Sequence, residues 1–213
     1  CSSDLEHGDL ILFDAATGDP IWSAARPELA DGHYALLTTT PMILLVGRDD
    51  DETAFFAYDP ATGNEKWRRR VKAPDQFLLT PDLTRIISLS FSGSDRTLKA
   101  VDLATGQVIW KQSLSEDLVS ETRTNALLQG DRSIYLAGGQ LCKFSEKDGR
   151  LMWSRDHPSL AAQGGTIHAA PDGILACSPG QMAFFEDMDG STRWTASTEA
   201  SSIRWVSVTD PAV

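Results

Sequence analysis

The stretch "AYDPATGNEKW", residues 57–67, runs from an aspartate through a Thr-Gly pair to a tryptophan four residues beyond the glycine. Aligned on that glycine, "LFDAATGDPIW" (12–22), "AVDLATGQVIW" (100–110), "KFSEKDGRLMW" (143–153) and "FFEDMDGSTRW" (184–194) follow the same order. Gly18, Gly63, Gly106, Gly149 and Gly190 are spaced by 45, 43, 43 and 41 residues, and Trp22, Trp67, Trp110, Trp153 and Trp194 keep the same spacings. Self-similarity at about 40–50 residues marks a propeller or array, in which a repeat cannot bury its apolar face alone and stacks on its neighbours.

Each motif reads as strand, turn, strand. Apolar residues lead into Asp14, Asp59 and Asp102, whose carboxylates can accept backbone N–H groups two or three residues on. Thr17, Thr62 and Thr105 precede glycines that supply the positive φ of a short hairpin loop. These polar residues are turn builders. The remainder of each period holds further runs such as "MILLVG", "TRIISLSF", "SIYLAG" and "GILAC", short, apolar and bounded by turn residues, as strands are. No amphipathic run is long enough for a helix. Four short strands per period predict an all-β propeller of four-stranded antiparallel blades, occupying residues 1–213 as one domain with 1–7 as a short N-terminal segment. The tryptophan opens the outermost strand of its blade, where a large ring with one N–H can wedge against the neighbouring blade's turn. The five glycines and five tryptophans are thus the structural docking residues.

These residues resemble the PQQ-like repeat, or tryptophan-docking motif, A-x-D-x-x-T-G-x-x-x-W. Ala57, Asp59, Thr62, Gly63 and Trp67 match at every fixed position, as do Ala100, Asp102, Thr105, Gly106 and Trp110; the first repeat has Leu12 for the alanine, and the last two keep the glycine and tryptophan. The resemblance spans residues 8–209. It implies either of two kinds of protein. Quinoprotein dehydrogenases use an adjacent Cys-Cys disulfide against the quinone, bound calcium and an aspartate base, and no Cys-Cys pair occurs here. Non-catalytic BamB-like lipoproteins bind protein partners, and the acidic charge and Cys1 are similar to that group.

The net charge of −11 argues against nucleic acid or an anionic lipid surface as partner. The cluster Arg68, Arg69, Arg70 and Lys72 suits an outer strand whose exposed edge it blunts. Cys1 is the candidate for lipidation at a processed N-terminus, which would place the protein on the periplasmic or extracellular face. Cys142 and Cys177 read as buried thiols, a disulfide between them having no pattern to support it. Asp49, Asp50, Asp51 and Glu52 lack the spacing and glycine of a calcium loop. His33 and His168 fall on innermost strands that line a central channel, as does Trp205; His7 and His157 fall in loops. No nucleophile elbow, zinc motif or phosphate loop is present.

The sequence therefore predicts no enzymatic activity, no catalytic residue, no metal and no cofactor, and a scaffold that binds protein partners in a periplasmic or surface complex. The alternative is a piece of a quinoprotein dehydrogenase or a small-ligand-binding propeller. Counting from Trp194 to the end of the chain and from its start to Trp22 gives 41 residues, equal to the last internal spacing. This predicts a five-bladed ring closed by one blade shared between the termini, 8–14 contributing to its outer strands and 202–209 its innermost, the rival being an excerpt of a seven- or eight-bladed ring.

Overall fold

The computed structural model describes residues 9–25, 35–39, 42–49, 52–71, 74–92, 94–119, 126–156, 166–170 and 172–197, and every regular element among them is a β-strand. A two-stranded sheet comes first, β1 (Asp9–Phe13) with β2 (Pro20–Ala25). Four antiparallel sheets of four strands follow in chain order. They are β3 (Ala35–Thr39) to β6 (Glu65–Val71) through β4 (Met42–Asp49) and β5 (Glu52–Tyr58); and β7 (Pro74–Leu79) to β10 (Val108–Ser113) through β8 (Arg85–Ser92) and β9 (Asp95–Asp102). Next come β11 (Ala126–Gln129) to β14 (Leu151–Arg155) through β12 (Ser133–Ala137) and β13 (Leu141–Ser145); and β15 (Thr166–Ala170) to β18 (Thr192–Ser197) through β16 (Gly173–Ser178) and β17 (Gln181–Glu186). Each sheet is a meander, so each strand pairs with the next one in sequence. The first strands of neighbouring blades come together, β11 approaching both β7 and β15.

The middle strands lack the alternation of a one-sided sheet. Every described residue of β12 and β16 is buried, as are Met42 to Val46 of β4. A blade inside the array has a neighbour on each face, so both rows of side chains meet apolar partners. Phe56 and Tyr58 face the first repeat, packing with Leu10 and Trp22. Phe55 and Ala57, one residue out of step, pack on the third repeat with Ile86, Val101 and Leu103. Phe55, Phe56, Tyr58, Phe144 and Phe185 are at most 1% exposed, and each such ring contributes about 1.5–3 kcal/mol by leaving water.

All five motif turns share one backbone scheme. Gly63 N–H donates to Asp59 O at 2.8 Å and Asp59 N–H to Asn64 O at 2.8 Å, and the other four turns repeat both bonds. The five motif glycines have φ between 69° and 77°. Asp14 Oδ1 accepts Ala16 N–H at 2.7 Å, Asp59 Oδ1 accepts Ala61 N–H at 2.8 Å, and Asp102 Oδ1 accepts Thr105 N–H at 2.8 Å. Thr17, Thr62 and Thr105 each accept the N–H two residues on. In the last two repeats Asp148 and Asp189 stand where the threonine stood and accept Arg150 and Ser191 N–H. "EKDG" and "DMDG" thus build the same turn with a carboxylate in place of a hydroxyl.

Among the described residues, four of the five expected blades have four strands, and β1 and β2 pair as a two-stranded sheet at the first motif. Residues 202–209, expected to close the ring, lie outside the described residues. Arg68, Arg69 and Arg70 stand on β6, an outermost strand, where Arg68 pairs with Glu65 at 2.7 Å. No described helix is long and apolar enough to cross a membrane.

Asp59, Asp148 and Asp189 titrate below their usual range. The Ala61 N–H holds Asp59 down, helped by Lys66; the Ser145 hydroxyl and Arg150 N–H do so for Asp148; Ser191 N–H does so for Asp189. A carboxylate depressed by folding adds stability above its unfolded pKa and loses it as pH falls through the folded one. The thermal midpoint is therefore expected to be flat from pH 7 to about pH 5 and to fall below about pH 4. The triple change Asp59→Asn, Asp148→Asn and Asp189→Asn should flatten that fall in melts recorded across pH.

Candidate interaction site: tryptophan docks and the outer rim

Four tryptophans reach forward to the next repeat in the same way. Trp22 Nε1 donates to Pro60 O at 2.9 Å, Trp67 to Leu103 O at 2.9 Å, Trp110 to Glu146 O at 2.9 Å and Trp153 to Asp187 O at 3.1 Å. In every case the acceptor is the residue after the one that opens the turn. The ring then lies over the turn glycine. A Cβ on Gly63 would stand 2.7 Å from Trp22, on Gly106 2.8 Å from Trp67, on Gly149 2.4 Å from Trp110 and on Gly190 2.7 Å from Trp153. These glycines are required twice, for the left-handed φ and for the space a methyl would take. The residue paired across from each tryptophan is Leu12, Ala57, Ala100, Lys143 and Phe184 in order.

Polar groups reinforce three of the docks. Arg69 Nη1 reaches Gly106 O at 2.5 Å. Arg85 Nη1 donates to Glu146 O at 2.9 Å, and Gln129 Nε2 to Glu146 Oε2 at 2.8 Å. Lys143, nearly buried, donates to Asp187 O at 2.9 Å and pairs with Asp187 Oδ1 at 2.7 Å, and the Tyr135 hydroxyl donates to the same carboxylate. Burial pushes the Lys143 ammonium down and Asp187 up, the latter helped by Asp131. Leaving water costs this pair part of what its contact returns.

Trp194 and Gly18 make no such dock among the described residues. Trp194 is 41% exposed, and its indole N–H meets no acceptor among the described residues. It stacks instead on Phe184 of its own blade, centroids 5.9 Å apart. No described atom stands within 4 Å of a Cβ built on Gly18.

The other candidates separate clearly. Cys142 and Cys177 are free and buried; burial pushes the Cys142 thiol up to about 12, with Asp156 adding to it, and raises Cys177 too. Neither is a thiolate at neutral pH, so neither is a nucleophile there. His168 is on the innermost strand β15, its Nε2 3.1 Å from Thr166 Oγ1. Cys1, His7, His33, Asp50, Asp51, Lys72, His157 and Trp205 lie outside the described residues. Among the described residues no group of three His, Cys, Asp or Glu side chains is placed to hold a metal ion. Sequence reasoning missed the acceptor carbonyls, which carry no side-chain signal. It also missed the outer rim, where the two positions before the tryptophan are apolar in neighbouring repeats: Val108 and Ile109 on β10, Leu151 and Met152 on β14. That signal is present in "QVIW" and "RLMW" against "NEKW" and "STRW".

Docked and undocked positions should separate in denaturant melts. Trp110→Ala is expected to cost about 3–5 kcal/mol as a buried aromatic, and Trp194→Ala less than about 1 kcal/mol. Gly18→Ala carries only the left-handed backbone cost of about 1–2 kcal/mol, whereas Gly149→Ala adds overpacking of about 1–3 kcal/mol. Equal losses within either pair would contradict the docking geometry.

The sequence profile of the family described as outer membrane protein assembly factor BamB matches residues 5–126 and 85–212. No curated protein shows significant sequence similarity to the chain. Among solved structures, BamB from Moraxella catarrhalis is similar over 90% of this chain at 20% identity and TM-score 0.59. The computationally designed Ika8 protein is similar over 96% at 14% identity and TM-score 0.65, and Kluyveromyces lactis Hsv2 over 91% at 10% identity and TM-score 0.56. The chain spans 59%, 61% and 61% of those three chains. With both halves of its length matched by that profile and its four docked tryptophans in place, this chain belongs to the BamB family of PQQ-like repeat propellers.

Proposed function

We propose that this chain is a non-catalytic scaffold that holds a protein partner on its outer rim, in a complex that takes part in outer membrane protein assembly. The observation that carries the reading is the rim of the third and fourth repeats. Val108, Ile109, Leu151 and Met152 are 37–51% exposed there. The same two positions hold Glu65 and Lys66 on β6, and Thr192 and Arg193 on β18. Exposed apolar side chains at the same two positions of consecutive blades fit an interaction surface, and β10 and β14 are the last strands of their sheets among the described residues, where a partner strand can add. The assembly role is supported by family membership. The non-catalytic reading is supported by the work the polar groups already do: the turn aspartates hold turns, and the Cys142 and Cys177 thiols are buried and protonated.

Cys1 fits a lipid anchor on the periplasmic side of the membrane. Intact-mass measurement of the native protein is expected to exceed the sequence mass by an acyl-glyceryl group; an unmodified mass from native membranes contradicts the anchor. For the rim, crosslinkers placed at Ile109 and Met152 in cells are expected to trap a protein of the membrane-assembly machinery. The pair Ile109→Asp and Met152→Asp should weaken that complex about tenfold or more while leaving the melt unchanged. Undiminished binding in the double variant contradicts the rim, and turnover of an alcohol with added quinone and calcium contradicts the non-catalytic reading.

A further inference from the structure

The forward docks are not interchangeable. The carbonyl that accepts the indole belongs to Pro60 and Leu103 in the second and third repeats and to Glu146 and Asp187 in the fourth and fifth. Each acid is met by a cation from the preceding blade. Arg85 Nη1 donates to Glu146 O and lies 3.7 Å from its carboxylate. Lys143 Nζ donates to Asp187 O and lies 2.7 Å from its carboxylate. The two cations stand at different places in their blades. Arg85 opens a second strand, where the fourth and fifth blades have Ser133 and Gly173. Lys143 lies on a third strand across from its tryptophan, where the second and third blades have Ala57 and Ala100. The second blade has apolar residues throughout this region. Leu44 stands where Tyr135 does and Ala57 where Lys143 does, and they meet Leu103, 1% exposed, in the place of Asp187.

We infer that the Lys143–Asp187 pair fixes the order of the blades: the fourth blade admits a turn that brings a carboxylate and refuses the apolar turns of the first three repeats. The Lys143 side chain is 7% exposed. Against Pro60 or Leu103 its ammonium would be buried with a carbonyl oxygen and no counter-charge, and an uncompensated buried charge is strongly destabilising. The Glu146 carboxylate is committed elsewhere, to Gln129 of its own blade at 2.8 Å and to Arg85. The need for such a device follows from the repeat. Five turns with one backbone scheme give each docking face several turns to choose from, and misassembly of like units is a characteristic failure of repeat chains. A buried pair adds little net stability where an apolar set of similar volume fits, so its worth here lies in the turn it selects. The inference goes beyond the scaffold reading and does not depend on what the rim binds.

The test transplants the second blade's dock into the fourth. The triple change Tyr135→Leu, Lys143→Ala and Asp187→Leu copies Leu44, Ala57 and Leu103. Its thermal midpoint is expected to equal or exceed that of the wild type. The fraction recovered as native monomer on dilution from denaturant, read by size-exclusion chromatography, is expected to fall about threefold or more. Asp187→Leu alone strands the ammonium and should lower the midpoint by about 5 °C or more. If that single variant does not fold at all, recovery of folding in the triple variant carries the same conclusion. A triple variant that refolds as well as the wild type shows that the pair selects nothing and overturns the proposal. A triple variant whose midpoint falls along with its yield also overturns it, because the pair then only stabilises. So does an Asp187→Leu midpoint equal to that of the wild type, since Lys143 would then accept an apolar turn.

Discussion

When Trp110 lies on Gly149, a large apolar ring leaves water, its N–H finds Glu146 O at 2.9 Å, and a turn that only glycine can make is held shut. None of this happens inside a single repeat. An isolated four-stranded sheet has two apolar faces and little to put against them, and strands such as "SIYLA" and "GILACS" would remain wet. The dock fixes the distance and angle at which the next sheet stands, so that Ile134 and Phe144 close over Leu98 and Ala100. Stability in such an array is close to a sum of repeat and nearest-neighbour terms, and here the neighbour term has a residue name.

The sequence made this contact legible because both partners are rare residue types at fixed spacing. Glycine at positive φ and tryptophan in register survive even where the aspartate and threonine have gone, as in "KFSEKDGRLMW". The acceptor of the indole was not legible, since Pro60, Leu103, Glu146 and Asp187 share nothing but a backbone oxygen. Lys143 gave a signal of a kind: a charged residue where Ala57 and Ala100 stand requires a partner, and Asp187 of the next blade supplies it. Trp194 shows the limit of pattern reading. Its motif position equals that of Trp153, yet among the described residues no turn covers it, and Phe184 across the strand offers a stacking surface that Ala57 and Ala100 do not.

The proposed rim surface was harder to read because it lies at positions the motif leaves unspecified. Val108, Ile109, Leu151 and Met152 stand where the second and fifth repeats carry Glu65, Lys66, Thr192 and Arg193, and the difference matters only once β10 and β14 are known to be outermost strands of consecutive blades. The repeat fixes where blades go and leaves these positions free to vary between its own copies.

A double-mutant cycle on Trp110 and Gly149 tests the central claim most directly, with denaturant melts of the two single changes to alanine and of the pair. If the ring and the glycine are one contact, Gly149→Ala costs only its left-handed backbone term once Trp110 is gone, and the cycle returns a coupling of about 1–3 kcal/mol. Losses that add to within about 0.3–0.5 kcal/mol would mean that the tryptophan and the glycine stabilise the array separately, and the account of blade-on-blade docking would be wrong.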